Sequence, residues 1–398
     1  MNRTKNHAVI RHSQLQQQIT LLANLKPSSA RTVVSCYLDL REEHSRLETF
    51  VREHMAAHLT QIPTRQLAGF KRSINAIIAQ LDASKPRQPH GLALFYAVDG
   101  DATLLSAMPF AAPLHNRLSV STSPDLLPLI QLRELYGRFM FVLANPAGLQ
   151  VVEVNLGEIS LKAWIPCPVS GTKSEDDLLV YGKTAAAQDD LQNQVVIIEQ
   201  LLKNFGYIPF FLAGDIDVMR TVRQRLAGSS AARLRGSIPL PDSCNMRQAA
   251  ALCLRTLIES RASQARATST RILHGERHQG QAVTGVAASL HALQSGIVDT
   301  LVFANDYIQE SDWTCWNCEE SLAPQTSPPT QCPKCNADWF MDLRGELLRL
   351  AGQQRIPVEF TDSAALHRLG GVGCLLHKSV KEYVQPYPLG NGTLDLVA

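Results

Sequence analysis

Four of the nine cysteines stand as two Cys-x-x-Cys pairs, Cys315 with Cys318 and Cys332 with Cys335, separated by thirteen residues. Two such knuckles bring four thiolates together as a tetrahedron, the geometry that Zn2+ accepts in a closed structural site. Four protein ligands leave no open coordination position, so the expected cofactor is a structural zinc rather than a catalytic one. Two disulfides or an iron–sulfur centre are the alternatives, and an intracellular chain disfavours the disulfides. Pro333 and Lys334 inside the second knuckle suit a tight turn, and Trp313, Trp316 and Trp339 flank the pair as ribbon packing or as a partner patch. The remaining cysteines, Cys36, Cys167, Cys244, Cys253 and Cys374, stand alone. Cys36, Cys253 and Cys374 read as small core residues, and Cys167 has no neighbouring cation that would activate its thiol.

No other constellation points to catalysis. A Walker A loop, a nucleophile elbow, a His-Glu-x-x-His pair and a Rossmann glycine pattern are all absent from the sequence. His274, His278 and His291 are scattered, and Asp215 with Asp217 reads as the capped start of a helix rather than as an acid–base pair. Basic residues carry the other chemistry. Arg65, Lys71, Arg72, Lys85 and Arg87 gather around one N-terminal helix, and Arg247, Arg255 and Arg261 lie on a long helical run. Such residues suit phosphate contacts, the sequence-independent part of nucleic-acid binding; an ordinary solvated face is the competing reading.

The net charge of +2 conceals this pattern. By segment it is +7 over 1–87, −2 over 88–130, −5 over 131–218, +8 over 219–277 and −6 over 278–398. Alternating blocks of this kind suggest one set of surfaces for a polyanion and another for proteins. With 398 residues, 45% of them apolar, the chain is long enough for two or three domains with sizeable cores. No apolar run is long enough to span a bilayer, and the N-terminus lacks the apolar core of a signal peptide, so a cytoplasmic protein without a membrane partner is expected.

The elements that must position these groups read as α/β (α+β) in three domains. In residues 1–124, His12–Leu25 has helical spacing, Thr32–Leu40 and Gly91–Val98 are buried strands, and Glu42–Leu59 and Arg65–Leu81 are helices broken at Pro63. Asp99-Gly100 turns into a strand over Thr103–Pro109. In residues 125–267, Phe139–Ala144 and Leu149–Val154 form a hairpin around Asn145–Gly148, and Ile159–Ile165 is a further strand. A loop over 166–182 follows, then a helix over Gln188–Phe205, a strand over Tyr207–Ala213, a helix over Asp215–Leu226, a short strand near Ile238 and a helix over Asn245–Gln264. In residues 268–398 a helix over Val283–Gln294, a strand over Val298–Ala304, a helix over Leu343–Ala351, and strands over Val358–Thr361 and Val372–Leu376 enclose an inserted ribbon, 311–340.

The third segment carries a resemblance. Gly280-Gln-Ala-Val-Thr-Gly285, followed by Leu293-Gln-Ser-Gly-Ile-Val-Asp-Thr-Leu301, resembles a stretch of the class 1 peptide release factors of archaea and eukaryotes, the superfamily that includes Pelota. The four-cysteine ribbon follows where archaeal members carry one. Val358-Glu-Phe-Thr-Asp-Ser363 and Leu369-Gly-Gly-Val-Gly373 resemble the closing stretch, Val34–Leu40 resembles a strand of the first domain, and Phe210-Phe-Leu-Ala-Gly214 one of the middle domain. The chain is thus similar to a bacterial member of this superfamily.

The departures shape what the resemblance implies. Release factors carry a Gly-Gly-Gln loop in the middle domain, whereas the matching stretch here holds Gly171, Thr172, Lys173 and Ser174, then Glu175, Asp176 and Asp177. The Asn-Ile-Lys-Ser of stop-codon readers is also absent. The resemblance therefore implies a non-enzymatic factor, a monomer when free, that occupies the A site of the 70S ribosome. Its basic first domain would face 16S rRNA, the loop 171–174 would approach 23S rRNA, and the middle and third domains would engage elongation factor Tu. Hibernation is the leading role. Rescue of stalled ribosomes, a peptidyl-tRNA hydrolase with an altered loop, and a zinc-ribbon RNA-binding protein unrelated to the A site are the alternatives.

Overall fold

In a computed structural model, the protein is described over residues 9–25, 31–59, 62–84, 89–166, 185–206, 208–241, 243–278, 280–305, 307, 311–315, 317–318, 320–325, 331–336 and 340–377. At 185–192, 276–278, 311–312 and 321–325 it describes backbone only. The chain forms two compact units, Met1–Arg261 and Ala262–Ala398. The fold is mixed α and β, and among the described residues the strands form four separate sheets.

The first unit holds two of these sheets. After helix α1 (His12–Ala23), strands β1 (Thr32–Asp39), β2 (Gly91–Val98), β3 (Ala102–Phe110) and β4 (Arg117–Ser121) pair antiparallel in the order β3-β2-β1-β4. Helices α2 (His44–His58) and α3 (Leu67–Ser84) cover one face. There Val51, Met55, Phe70 and Ile77 close over Val34, Cys36, Leu38 and Leu94. The other face is buried too, by Tyr37 and Phe95 among others. Strands covered on both sides read as continuous apolar runs, which is why Thr32–Leu40 and Gly91–Val98 were legible as strands.

Helix α4 (Leu127–Tyr136) leads into a five-stranded sheet of β5 (Arg138–Asn145), β6 (Gly148–Asn155), β7 (Glu158–Pro166), β8 (Phe210–Gly214) and β9 (Leu234–Pro239), in the order β7-β6-β5-β8-β9. β5, β6 and β7 form an antiparallel meander, while β8 runs parallel to β5 and β9 parallel to β8. Helices α5 (Ala185–Asn204) and α6 (Ile216–Arg225) bury Ile198, Leu202 and Val222 on one face. A short α7 (Gly228–Ala231) precedes β9. On the other face Ala249, Cys253 and Leu257 of α8 (Met246–His278) meet Phe139, Phe141 and Phe211. Asp215 caps α6, accepting hydrogen bonds from the backbone N–H groups of Asp217 and Val218 at 2.9 and 2.8 Å, as its position predicts.

The second unit holds a four-stranded sheet, β10-β16-β11-β15, and the ribbon. β10 is Ala282–Thr284, β11 Val298–Ala304, β15 Val358–Thr361 and β16 Val372–Leu376. Helices α9 (Val286–Gln294), α10 (Leu343–Gln354) and α11 (Ala364–Arg368) complete it. β11 is parallel to β15 and antiparallel to β16. Ser363 caps α11 through the Leu366 N–H, and Gly296 adopts a left-handed φ of 68° just beyond α9.

Two elements differ from the sequence expectation. The helix expected over Asn245–Gln264 continues unbroken to His278, 33 residues in all. The expected boundary at 267/268 therefore falls inside a helix, where neither Gly nor Pro marks an end. The helix expected over Val283–Gln294 begins instead as strand β10, and Gly285 at φ 83° separates it from α9. β10 is only three residues long, too short for a period-2 signal, and it forms by pairing with β16.

Candidate metal centre and cationic surfaces

The ribbon is a three-stranded antiparallel sheet of β12 (Ser311–Cys315), β13 (Ser321–Gln325) and β14 (Phe340–Asp342), in the order β13-β12-β14. Cys315 closes β12, and its N–H donates to the Glu320 carbonyl at 2.9 Å, folding the first knuckle back on itself. In the second knuckle the Asn336 N–H donates to the Cys332 carbonyl at 2.9 Å, with Asn336 left-handed at φ 57°. Asn tolerates that conformation better than most residues. Lys334 and Glu320 link the two knuckles through an ion pair of 3.0 Å.

The four sulfurs converge. Every pair of Sγ atoms lies within 4.8 Å, with Cys315 and Cys335 at 3.5 Å and Cys318 and Cys332 at 3.6 Å. Four thiolates bound to Zn2+ at about 2.3 Å define a tetrahedron with edges of about 3.8 Å, so the group fits this quartet. Cys315 and Cys332 are buried beside Trp313 and Phe340, and Cys318 and Cys335 complete the cluster from its partly open side. All four cysteines expected to ligate are thus brought together, and they suit a structural metal ion such as zinc. Trp316 and Trp339 lie outside the described residues.

Three of the solitary cysteines, Cys36, Cys253 and Cys374, are core residues, as expected. Burial pushes the thiols of Cys36, Cys253 and Cys374 up to about 12. Cys244 is half-buried, and Cys167 lies outside the described residues.

The expected phosphate-binding residues separate into distinct situations. Lys71 and Arg72 are exposed on α3, and Arg65 lies on the 3-10 turn just before it. Arg72 is engaged, its guanidinium bonding Asp101 at 2.7 Å and the Gly100 carbonyl at 3.0 Å. The Asp101 carboxyl is held below its ordinary range by the Ala102 N–H and by Arg72. Arg247 is exposed at the start of α8, whereas Arg255 pairs with Glu259 one turn on at 3.1 Å. Lys85 and Arg87, the loop residues Gly171, Thr172, Lys173 and Ser174, and the acidic triplet Glu175–Asp177 lie outside the described residues.

Sequence reasoning missed a buried polar network in the first unit. Glu153, with only 3% of its side chain exposed, is gripped by Arg138 at 2.6 Å and Lys162 at 2.8 Å. Burial raises its pKa, but the hydrogen bonds from Lys162 and Arg138 outweigh that and hold it below the ordinary value. Arg133, nearly buried on α4, donates to Gln16 at 2.5 Å and to Glu134 at 2.8 Å, tying α4 to α1. His12, whose backbone N–H donates to the Asn155 side-chain oxygen at 2.9 Å, has an imidazole held below its ordinary pKa by burial and by Arg133, Arg261 and Arg138. A signal existed in part: Glu153 is the one charged residue of β6, set among valines.

No protein-family model matches the chain, and no curated protein sequence matches it. Solved structures do resemble it. A model of ribosome-bound archaeal Pelota with ABCE1 aligns at 10% identity over 91% of this chain and 94% of that one, with a TM-score of 0.40. The archaeal translation termination factor aRF1 aligns at 13% identity over 92% and 98%, with a TM-score of 0.28. Dom34 of S. cerevisiae, described as a termination-like factor that interacts with Hbs1, aligns at 13% identity over 75% and 77%, with a TM-score of 0.36.

Proposed function

We propose that this chain is a ribosome-binding translation factor that occupies the A site without releasing peptide, with ribosome hibernation as its role. In that respect it is similar in kind to the bacterial hibernation factor Balon. The observation that carries the reading is the order of parts in the second unit. The motif stretch 280–301 folds as β10, α9 and β11; the four-cysteine ribbon follows directly; and the stretches at 358–363 and 369–373 return as β15 and β16 of the same sheet. Motifs scattered over about ninety residues of sequence therefore meet in one sheet, as parts of a single inherited unit would.

In this reading residues 1–124 face 16S rRNA, 125–267 reach toward 23S rRNA with the loop 171–174, and 268–398 meet elongation factor Tu. The protein is cytoplasmic and monomeric when free. It is not an enzyme, because residues 167–184 contain no Gly-Gly-Gln and carry three consecutive acids instead. The test is co-sedimentation of the full chain with idle 70S ribosomes, with and without elongation factor Tu. Stoichiometric binding without hydrolysis of P-site peptidyl-tRNA is expected. A failure to co-sediment under either condition refutes the proposal, and rapid peptide release transfers the chain to the hydrolase reading. Preference for ribosomes stalled on truncated mRNA over idle ones makes the role rescue rather than hibernation.

A further inference from the structure

The +8 segment, 219–277, does not spread its arginines evenly. In the five-stranded sheet, Arg138, Phe210 and Leu234 all stand at the same end of β5, β8 and β9, because these strands run parallel to one another. The helices that follow β7 and β8 run back along the sheet, so α5 and α6 both finish at that end. Topology thus collects Lys203 from the last turn of α5, Arg223 and Arg225 from the last turn of α6, and Arg233 and Arg235 from the start of β9.

Only part of this charge is needed by the fold. Arg233 is committed, donating to the carbonyls of Leu202 at 3.0 Å, Ile208 at 3.3 Å and Gly206, and so closing the end of α5. Arg223, Arg235 and Lys203 are exposed and have no ion-pair partner among the described residues. Arg225 is half-buried, and its Nη1 is enclosed without an acceptor. Among the described residues the acids at this end are occupied: Glu199 accepts the Ala227 N–H at 2.6 Å, Glu153 is held by Arg138 and Lys162, and Glu158 pairs with Arg11 at 3.6 Å. Elsewhere in the same segment arginines are neutralised locally, Arg220 by Asp217 at 2.5 Å and Arg255 by Glu259 at 3.1 Å.

We infer that this end of the sheet, centred on Arg223 and Arg235, is a contact surface for the phosphate backbone of structured RNA. Two exposed guanidinium groups without an ion-pair partner among the described residues, Arg223 and Arg235, each able to present a planar fork, suit phosphate oxygens better than a scattered surface does. It lies at the opposite end of the sheet from Pro166, where β7 finishes. The inference rests on the ribosome-binding reading and names the part of the chain that would touch RNA.

The test compares the wild-type chain with Arg223→Gln/Arg235→Gln and with Arg220→Gln. The second variant removes charge in the same segment at an arginine that is already paired. Binding is measured to a structured RNA hairpin and to 70S ribosomes across a salt series. The first variant is expected to bind the hairpin about tenfold more weakly, with the slope of log K against log salt reduced by about 2. The second is expected to match wild type, and both to retain the wild-type melting transition. Equal weakening by both variants, or no weakening by the first, overturns the inference, as does equally tight binding of wild type to a polyglutamate peptide. Loss of ribosome binding by wild type refutes the functional reading instead, and the hairpin measurement still decides the RNA surface.

Discussion

Replacing Cys332 by Ser removes one of four converging sulfurs and tests whether metal ligation is what holds the ribbon. Cys332 is fully buried, and its Sγ lies 3.6 Å from that of Cys318, close to the edge of about 3.8 Å expected for a zinc tetrathiolate. Structural zinc sites contribute about 10–16 kcal/mol of apparent binding free energy. Shared over four thiolates, each supplies about 3 kcal/mol, so losing one should weaken zinc affinity by more than about a hundredfold. The ribbon has little else. Trp313 and Phe340 are its buried large apolar side chains among the described residues, and burying each contributes about 1.5–3 kcal/mol. Fixing the backbone costs about 1–2 kcal/mol per residue, so three short strands do not stand without the metal. The assay combines metal analysis of purified protein, zinc competition against a chromophoric chelator, and hydrogen exchange read by mass spectrometry. Wild type should hold one zinc per chain. Chelation or Cys332→Ser should expose the amides of 311–315 and 340–342 while those of 298–304 and 372–376 stay protected. Wild-type protein that holds no zinc, or a variant that keeps wild-type affinity and protection, refutes the reasoning.

Further outcomes follow from the first unit. Glu153→Gln leaves Arg138 and Lys162 facing a neutral amide and should destabilise the unit by about 3–5 kcal/mol in denaturant titration. Because the folded-state pKa of Glu153 is depressed, its contribution is complete above the unfolded value of about 4.3 and is lost as pH falls through the folded pKa; the variant should lack that part of the acid sensitivity. His12 is also depressed, so the unfolded chain takes up its proton first. Stability should decline as pH falls below about 6.5, and His12→Gln should flatten that slope in pH-dependent melting. Gly214→Ala puts a methyl against the Ala144 carbonyl oxygen at φ 121°, and loss of soluble protein or a destabilisation above about 2 kcal/mol is expected, whereas Gly228→Ala meets open space and should be nearly neutral.

How legible the fold was depended on how each element is stabilised. β1 and β2 are buried on both faces, so their identity is written in unbroken apolar runs, and the observed bounds match the expected ones to within a residue. α8 shows the opposite case. Its first half presents Ala249, Cys253 and Leu257 to one core, but Ile272 contributes to another, and the run between them is small and polar. Periodicity weakens where the helix passes from one unit to the next, which is why the sequence pattern faded fourteen residues early. β10 had no pattern to read, because three residues become a strand only through their partner β16.

The candidate sites divide along the same line. The cysteine quartet was legible because two knuckles encode their own geometry: each turn is local, and only the pairing of knuckles depends on tertiary structure. The basic residues were legible only as a charge count. Whether an arginine is available to a phosphate depends on who stands beside it, and that neighbour can be distant in sequence, as Asp101 is from Arg72, or one turn away, as Glu259 is from Arg255. A segment total weights Arg223 and Arg255 equally, although one is exposed without an ion-pair partner among the described residues and the other is paired. The same total hides Arg233, which spends its donors on the end of α5. Charge by segment therefore points to the right stretch of chain, while the residues that could meet RNA are those the fold gathers at one end of a sheet and leaves without a carboxylate.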